Sequence, residues 1–338
     1  MFTRDIGIDL GTSSTLVCVR GKGIIIREPS VVAYDVRSDA VRAVGTEAKE
    51  MIGRTPGSIV AVKPLKEGVI ADFDVTAAMV KRFISLAQRG SFFNRTRTLI
   101  SVPAGVTEVE VRAVYDAAKQ SSSEVDLIEA PLAAALGAGL DVNDATGNMI
   151  VDIGGGTTQV AIVSLGDIVT AQTIRAAGDH FDEAIINYVR RKHNLLIGER
   201  TAEQIKIEIG SVLPYENEGQ LEIKGRNLVD GLPKNIEITA KEVRDAVSDI
   251  VEQIIDSIRT TFEKTPPELA ADIIDKGITL TGGGALLRGI AQMIETETEM
   301  TVTVAERPEE CVVRGIAKKL ETNIDFDSYV FKRGKKYM

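Results

Sequence analysis

Short apolar runs that suit buried strands alternate along the chain with stretches whose apolar residues recur every three to four positions. That alternation is the signature of an α/β protein. The longest helical stretch carries Val243, Val247, Ile250, Ile254, Ile258 and Phe262 on one face. Thr239-Ala240-Lys241-Glu242 opens it as a capping box, the Thr hydroxyl accepting from a first-turn N–H while the Glu reaches back. Thr265-Pro266-Pro267 then ends it and restarts a short helix. The same grammar predicts a helix from Thr107-Glu108-Val109-Glu110 to about Gln120, and another opened by Thr201-Ala202-Glu203-Gln204 that includes Lys206. A helix is also predicted around residues 76–88, and a buried strand over 98–102. Residues 23–62, with β-like runs at 24–26, 30–34 and 41–44, and the polar, strand-like stretch 213–238 read as small insertions.

Two stretches in this pattern are versions of one another. Ile8-Asp9-Leu10-Gly11-Thr12-Ser13-Ser14-Thr15 and Val151-Asp152-Ile153-Gly154-Gly155-Gly156-Thr157-Thr158 each run from an apolar strand through an aspartate into a Gly-, Ser- and Thr-rich turn and a second strand. Such a turn exposes backbone N–H groups, and glycine lets the chain come close to a ligand. The aspartate before each turn is placed to hold a hydrated cation. Facing one another, the two loops would grip a metal-bound polyphosphate. A third glycine turn, Gly282-Gly283-Gly284-Ala285, follows a strand and leads towards a helix, bringing more backbone against an anionic ligand. Glu203 and Lys206 share one helix face, a spacing that on its own suits a solvent ion pair.

Composition narrows the setting. A chain of 338 residues, 44% hydrophobic and 26% charged, is long enough for two soluble domains with a cleft between them. Its net charge of −9 argues against general nucleic-acid binding. Two cysteines, Cys18 and Cys311, make no disulfide framework, and His180 and His193 make no zinc site, so a reducing cytoplasm is expected. The opening Met1-Phe2-Thr3-Arg4-Asp5 leads straight into a strand, leaving no room for a signal peptide. There is no G-x-x-x-x-G-K-[ST] phosphate loop and no G-x-G-x-x-G after the first strand.

The paired loops, together with Leu127-Ile128-Glu129-Ala130-Pro131, Gly198-Glu199-Arg200-Thr201-Ala202-Glu203, Lys264-Thr265-Pro266-Pro267-Glu268-Leu269-Ala270-Ala271-Asp272 and the stretch 281–287, carry a resemblance over residues 4–320. The chain resembles the MreB/Mbl-like, rod-shape-determining family of bacterial actin homologues. The resemblance implies an α/β, actin-like ATPase fold with two related domains around a nucleotide cleft. The first would span 1–140, with a small subdomain at about 32–76; the second would span 141–338, with a small subdomain at about 181–240. The C-terminal helix is expected to pack back on the first domain.

The resemblance also implies ATP or ADP with Mg²⁺. Gly11, Thr12, Ser13 and Ser14 would form the first phosphate loop, and Gly154, Gly155, Gly156, Thr157 and Thr158 the second. Asp9 and Asp152 would hold the cation largely through water. Glu203 and Lys206 would flank the adenosine, and Gly282, Gly283, Gly284, Ala285 and Leu286 would lie against the nucleotide. The family usually has Ala-Asn where Ser13-Ser14 stand. A larger departure is Ala130, at the place of the glutamate that orients the attacking water. Alanine cannot position water, and the neighbouring Glu129, a weak candidate, should face the other way. Gln159 also stands where an acid is usual. Nucleotide binding with weakened hydrolysis is therefore expected, with Thr158 as a further candidate beside the phosphates.

Phe92-Phe93, between Arg89 and Arg95/Arg97, suits an anionic bilayer, the rings entering the interface and the cations meeting headgroups. The expected role is a cytoplasmic protein that polymerises head to tail at the inner face of the cell membrane and organises the cell-wall elongation machinery. Two rivals, a small-molecule kinase and a chaperone-type ATPase of the same superfamily, would need a sugar pocket with a catalytic carboxylate or an added substrate domain. The sequence offers neither.

Overall fold

A computed structural model describes residues 3–88 and 95–322, and two five-stranded sheets built on one plan dominate it. In the first, the antiparallel meander Thr3–Leu10, Ser14–Val19, Gly23–Pro29 is extended beyond its first strand by the parallel strands Arg95–Val102 and Glu124–Glu129. In the second, the meander Asn148–Ile153, Thr158–Ser164, Asp167–Ile174 is extended by Ile278–Thr281 and Val302–Val304. The tight turn after the first strand of each meander is one of the paired loops.

Strand alternation decides what covers each sheet. Ile6, Ile8 and Leu10 face a core shared with Val80, Phe83 and Ile84 of the helix Phe73–Gln88 and Val111 of the helix Glu108–Lys119. Gly7 faces the other way, and a Cβ there would overlap Ile316 and the Cys18 sulfur. That lets the C-terminal helix Cys311–Leu320 lie on the first sheet. The same helix crosses the Ala-rich helix Ala130–Ala138 backbone to backbone. A Cβ on Gly137 would meet the Cys311 carbonyl, and one on Gly315 the Ala133 carbonyl. Leu16, Leu99 and Ile128 from one sheet and Ile150, Ala161 and Val163 from the other close this middle layer, so the halves share one core beneath the cleft.

Each half carries a smaller sheet. In the first it comprises Ala40–Val44, Val32–Asp35 and Ile59–Val62, with the helix Thr46–Met51 and its own core of Val31, Ala33, Ala43 and Ala48. The insertion predicted at 23–62 therefore starts too early: Gly23–Pro29 pairs with Ser14–Val19 and belongs to the main sheet. In the second half the small sheet comprises Leu195–Leu196, Gln220–Asn227 and Pro233–Thr239.

Thr107 and Thr239 form full capping boxes with Glu110 and Glu242. The third predicted box does not form. The helix Glu199–Ile209 starts at Gly198, whose carbonyl accepts from the Thr201 and Ala202 N–H groups, so Thr201 lies inside the first turn. After Ile278–Thr281 the glycines enter a short 3₁₀ turn, Gly283–Leu286, and the helix begins only at Ile290. Among the described residues no helix is long and apolar enough to cross a membrane.

Candidate functional site

The two glycine turns close in the same way. Gly11 N–H donates to the Ser14 carbonyl at 3.1 Å, and Gly154 N–H to the Thr157 carbonyl at 2.9 Å. They also meet. A Cβ at Gly155 would overlap the Ser13 side chain, and one at Gly156 the Thr12 side chain, so only glycine allows this approach. Together they line a cavity of about 570 Å³ between the halves.

Asp9 and Asp152 stand at matching places beside the turns, and each takes a hydroxyl from its parallel neighbour strand. Ser101 Oγ donates to Asp9 Oδ1 at 2.9 Å, and Thr281 Oγ1 to Asp152 Oδ1 at 2.9 Å. Burial pushes Asp9 up to about 7, against the Ser101 hydrogen bond and aided by the nearby Asp152 charge. Burial likewise pushes Asp152 up to about 6, opposed by Thr281. Burial makes both carboxyls reluctant to ionise on facing walls, and a cation between them would favour their charged forms.

The wall opposite the first loop is built from the second half. The helix Gly178–His193 begins on the second loop, Gly178 and Asp179 N–H groups donating to the Gly154 and Gly155 carbonyls at 3.0 and 2.7 Å. Lys206 lies 2.8 Å from Asp182 and donates to the Gly178 carbonyl at 3.0 Å. Asp182 is raised to about 6, burial outweighing the Lys206 charge. Gly282 and Gly284 press against Ile153, where a Cβ would clash, whereas Gly283 faces open space.

Ion pairs span the mouth between the halves. Lys49 meets Glu203 at 2.8 Å, Lys63 meets Asp179 at 3.0 Å and Glu199 at 3.4 Å, and Glu67 meets Arg175 at 2.9 Å. Thr12 Oγ1 accepts from Gly68 N–H at 3.0 Å, fixing the first loop to a neighbouring turn.

The structure brings most of the expected residues to this cavity: Asp9, Gly11, Thr12, Ser13, Ser14, Asp152, the three glycines 154–156, Thr157, Glu203, Lys206, the glycines 282–284 and Leu286 all line it. Ala130 lines it too, presenting a methyl group. Three expected residues are not among its lining. Thr158 is fully buried and its hydroxyl donates to the Ala176 carbonyl at 2.5 Å, as its counterpart Thr15 bonds Ser30 in the first half. Ala285 faces the hydrophobic core of the second half. Glu129 ends its strand and caps the Ala130 helix, outside the lining. Glu203 and Lys206 do not pair with each other; each has a different partner. Phe92 and Phe93 lie outside the described residues.

Sequence reasoning missed Ser101, Thr281 as a donor, Gly178 and Asp182. The first two were hidden because parallel neighbours sit 92 and 129 residues away. Gly178-Asp179 opens a helix just after a strand, and its first N–H groups are taken by the carbonyls of the second loop, a contact no local pattern announces.

A family model described as MreB/Mbl protein matches residues 3–328. The cell shape-determining protein Mbl of Bacillus cereus is 52% identical over 326 residues, covering 96% of this chain and 98% of that protein. The cell shape-determining protein MreB of Escherichia coli K12 is 50% identical over 329 residues, covering 95% and 94%. The crystal structure of MreB5 of Spiroplasma citri bound to ADP superposes with a TM-score of 0.89 at 39% identity, covering 95% of this chain and 99% of that one.

Proposed function

The chain belongs to the MreB/Mbl family and has its actin-like fold, and on that premise we propose that it is a cytoskeletal, cell-shape protein that binds ATP or ADP in the cleft and assembles head to tail. The observation that carries this reading is the meeting of the two glycine turns across one cavity, with Asp9 and Asp152 behind them. The turns' N–H groups and hydroxyls suit the phosphates. Glu203, Lys206, Gly282, Gly283 and Leu286 supply the wall for the nucleoside. ADP in the Spiroplasma citri relative supports the same occupant here.

The site fits Mg²⁺. Among the described residues no cluster of three or more His, Cys, Asp or Glu side chains stands at ligand spacing, so Asp9 and Asp152 would hold the ion together with waters and phosphate oxygens, the coordination Mg²⁺ prefers. When bound, it would neutralise phosphate charge. Ala130 offers no group to orient water, and losing such a group costs ~10²–10⁴-fold in rate. The cleft is therefore better equipped to hold ATP than to split it.

Closing the cleft around nucleotide selects one arrangement of the halves, a population shift driven by differential affinity. Exposed apolar side chains suit a head-to-tail contact. Val229 and Leu232, 82% and 62% exposed, sit on a turn beside Asn194, at the far end of the helix that starts at the cavity. Leu165, on the turn before the strand Asp167–Ile174, and Ile274, on the helix Pro267–Lys276, are 69% and 63% exposed. On this reading the filament works at the inner face of the cytoplasmic membrane with the cell-wall elongation machinery. Sedimentation with anionic liposomes, with and without Mg-ATP and with phosphate release read in parallel, tests the whole reading. Nucleotide-dependent pelleting with slow release is expected; no pelleting, or no binding of either nucleotide, would overturn it.

A further inference from the structure

The residue opposite Asp152 in its hairpin is Gln159. Directly opposed residues on an antiparallel pair project from the same face, and Gln159 accordingly lines the cavity beside Asp152, Ser101 and Ala130 while remaining only 3% exposed. Its Oε1 accepts the Ala104 backbone N–H at 2.8 Å. The Ala104 carbonyl in turn accepts from Thr173 Oγ1 at 2.8 Å. The backbone of one residue of the first half, Ala104, is thus held through both its N–H and its carbonyl by the second half.

That contact fixes which way the amide points. A backbone N–H can only donate, so the oxygen of Gln159 must face Ala104 and the NH₂ must be the other end. Among the described residues Nε2 has no hydrogen-bond partner, although it is not sealed from solvent. Its open side is the cavity that the residue lines. A glutamate could accept the same Ala104 N–H with one oxygen, but would then present a second, anionic oxygen to the cavity. Glutamine at this place keeps the clasp and reverses the polarity of what faces the ligand, from acceptor to donor.

We infer that Gln159 is a specificity-determining residue for the charge state of the bound nucleotide, its Nε2–H₂ donating to an oxygen of the outermost phosphate and favouring a triphosphate over a diphosphate. This rests on the reading of the cavity as a nucleotide site. Ala130 strengthens it, because a methyl group there leaves that corner without a carboxylate to repel a further phosphate. The pair Ala130/Gln159 makes the corner neutral and donating, next to two aspartates that need a cation.

The test compares Mg-AMPPNP and Mg-ADP affinities, by calorimetry, in the full chain and in Gln159→Glu. AMPPNP removes hydrolysis from the readout. Glutamate preserves the Ala104 contact, so the variant should fold, and circular dichroism checks that it does. Exchanging a donor for an anion is expected to lower the AMPPNP-over-ADP preference by about ten- to a hundredfold, the range of a hydrogen bond to a charged group. Gln159→Met, which removes the donor and the Ala104 acceptor together without adding charge, should lower it less, with circular dichroism again checking the fold. If both nucleotides bind and the preference is the same in all three proteins, the inference fails while the nucleotide site stands. If neither nucleotide binds the unaltered chain, the reading beneath it fails as well.

Discussion

The two loop hairpins share a backbone and differ in what stands opposite their aspartates. In the first, Asp9 is paired with Leu16, which turns into the apolar layer between the halves. In the second, Asp152 is paired with Gln159, which stays polar, clasps Ala104 and lines the cavity. The common features serve what any metal-bound polyphosphate needs: a turn closed on itself, glycine where the loops touch, and a carboxylate steadied by one hydroxyl. The differing position lies on the cavity wall in the second half and in the apolar layer in the first. A duplicated backbone element can therefore be kept intact while the side chain opposite its aspartate changes from apolar to polar.

The sharpest challenge to this comparison adds a carboxylate to the cavity from the first half, across from Gln159. Ala130→Glu places an acid in the cavity, and phosphate release from Mg-ATP is expected to rise ~10²–10⁴-fold, measured in a coupled phosphate assay. No rise would separate Ala130 from the rate.

A smaller effect is expected from the loop contact. Gly156→Val pushes methyl groups into Thr12, and overpacking of about 1–3 kcal/mol should weaken nucleotide binding ~10–100-fold. Gly57→Ala, away from the cavity and with open space around it, should stay within about twofold. Titration of both variants with a fluorescent ATP analogue separates them. An equally small loss in both variants would show that the close approach of the loops at Gly156 is not needed for binding.

The mildest effect concerns the aspartates themselves. Asp9 at about 7 and Asp152 at about 6 both stand above the 3.8 of an ordinary Asp. Their carboxyls therefore favour the folded protein fully only at low pH, and that contribution is lost as pH rises through 6 and 7. Without nucleotide the melting temperature should fall from pH 5.5 to 8. Mg-nucleotide needs the ionised forms, so its affinity should rise about tenfold from pH 6 to 8. Thermal melts with and without Mg-nucleotide across that range should show a widening gap; a constant gap would show that the carboxyls do not face the ion.

The hairpins, their glycines and aspartates and the Thr107 and Thr239 capping boxes were legible because each is a local pattern. Parallel pairing was not. Nothing near Asp9 announces Ser101, and nothing near Asp152 announces Thr281, because register between parallel strands is set by the packing of whole layers. Side-chain direction was legible only in part. Alternation turned Glu129 away from the cavity as expected. Thr158 was grouped with the phosphates although it begins the return strand, where its hydroxyl bonds Ala176. The start of the first small subdomain was blurred because Gly23–Pro29, exposed along alternate residues, reads as an insertion strand until its pairing with Ser14–Val19 is seen. The neutral side chain of Gln159 is plain in the sequence, but its clasp on Ala104 depends on a contact across 55 residues.

The most direct measurement is a single turnover. The protein is loaded with Mg-ATP, freed of excess nucleotide, and its bound nucleotide and released phosphate are followed together. ATP should remain bound and intact long after an Ala130→Glu sample has converted its ATP to ADP. Rapid phosphate release from the unaltered chain, abolished by Asp152→Ala, would contradict a cleft that holds ATP in preference to splitting it.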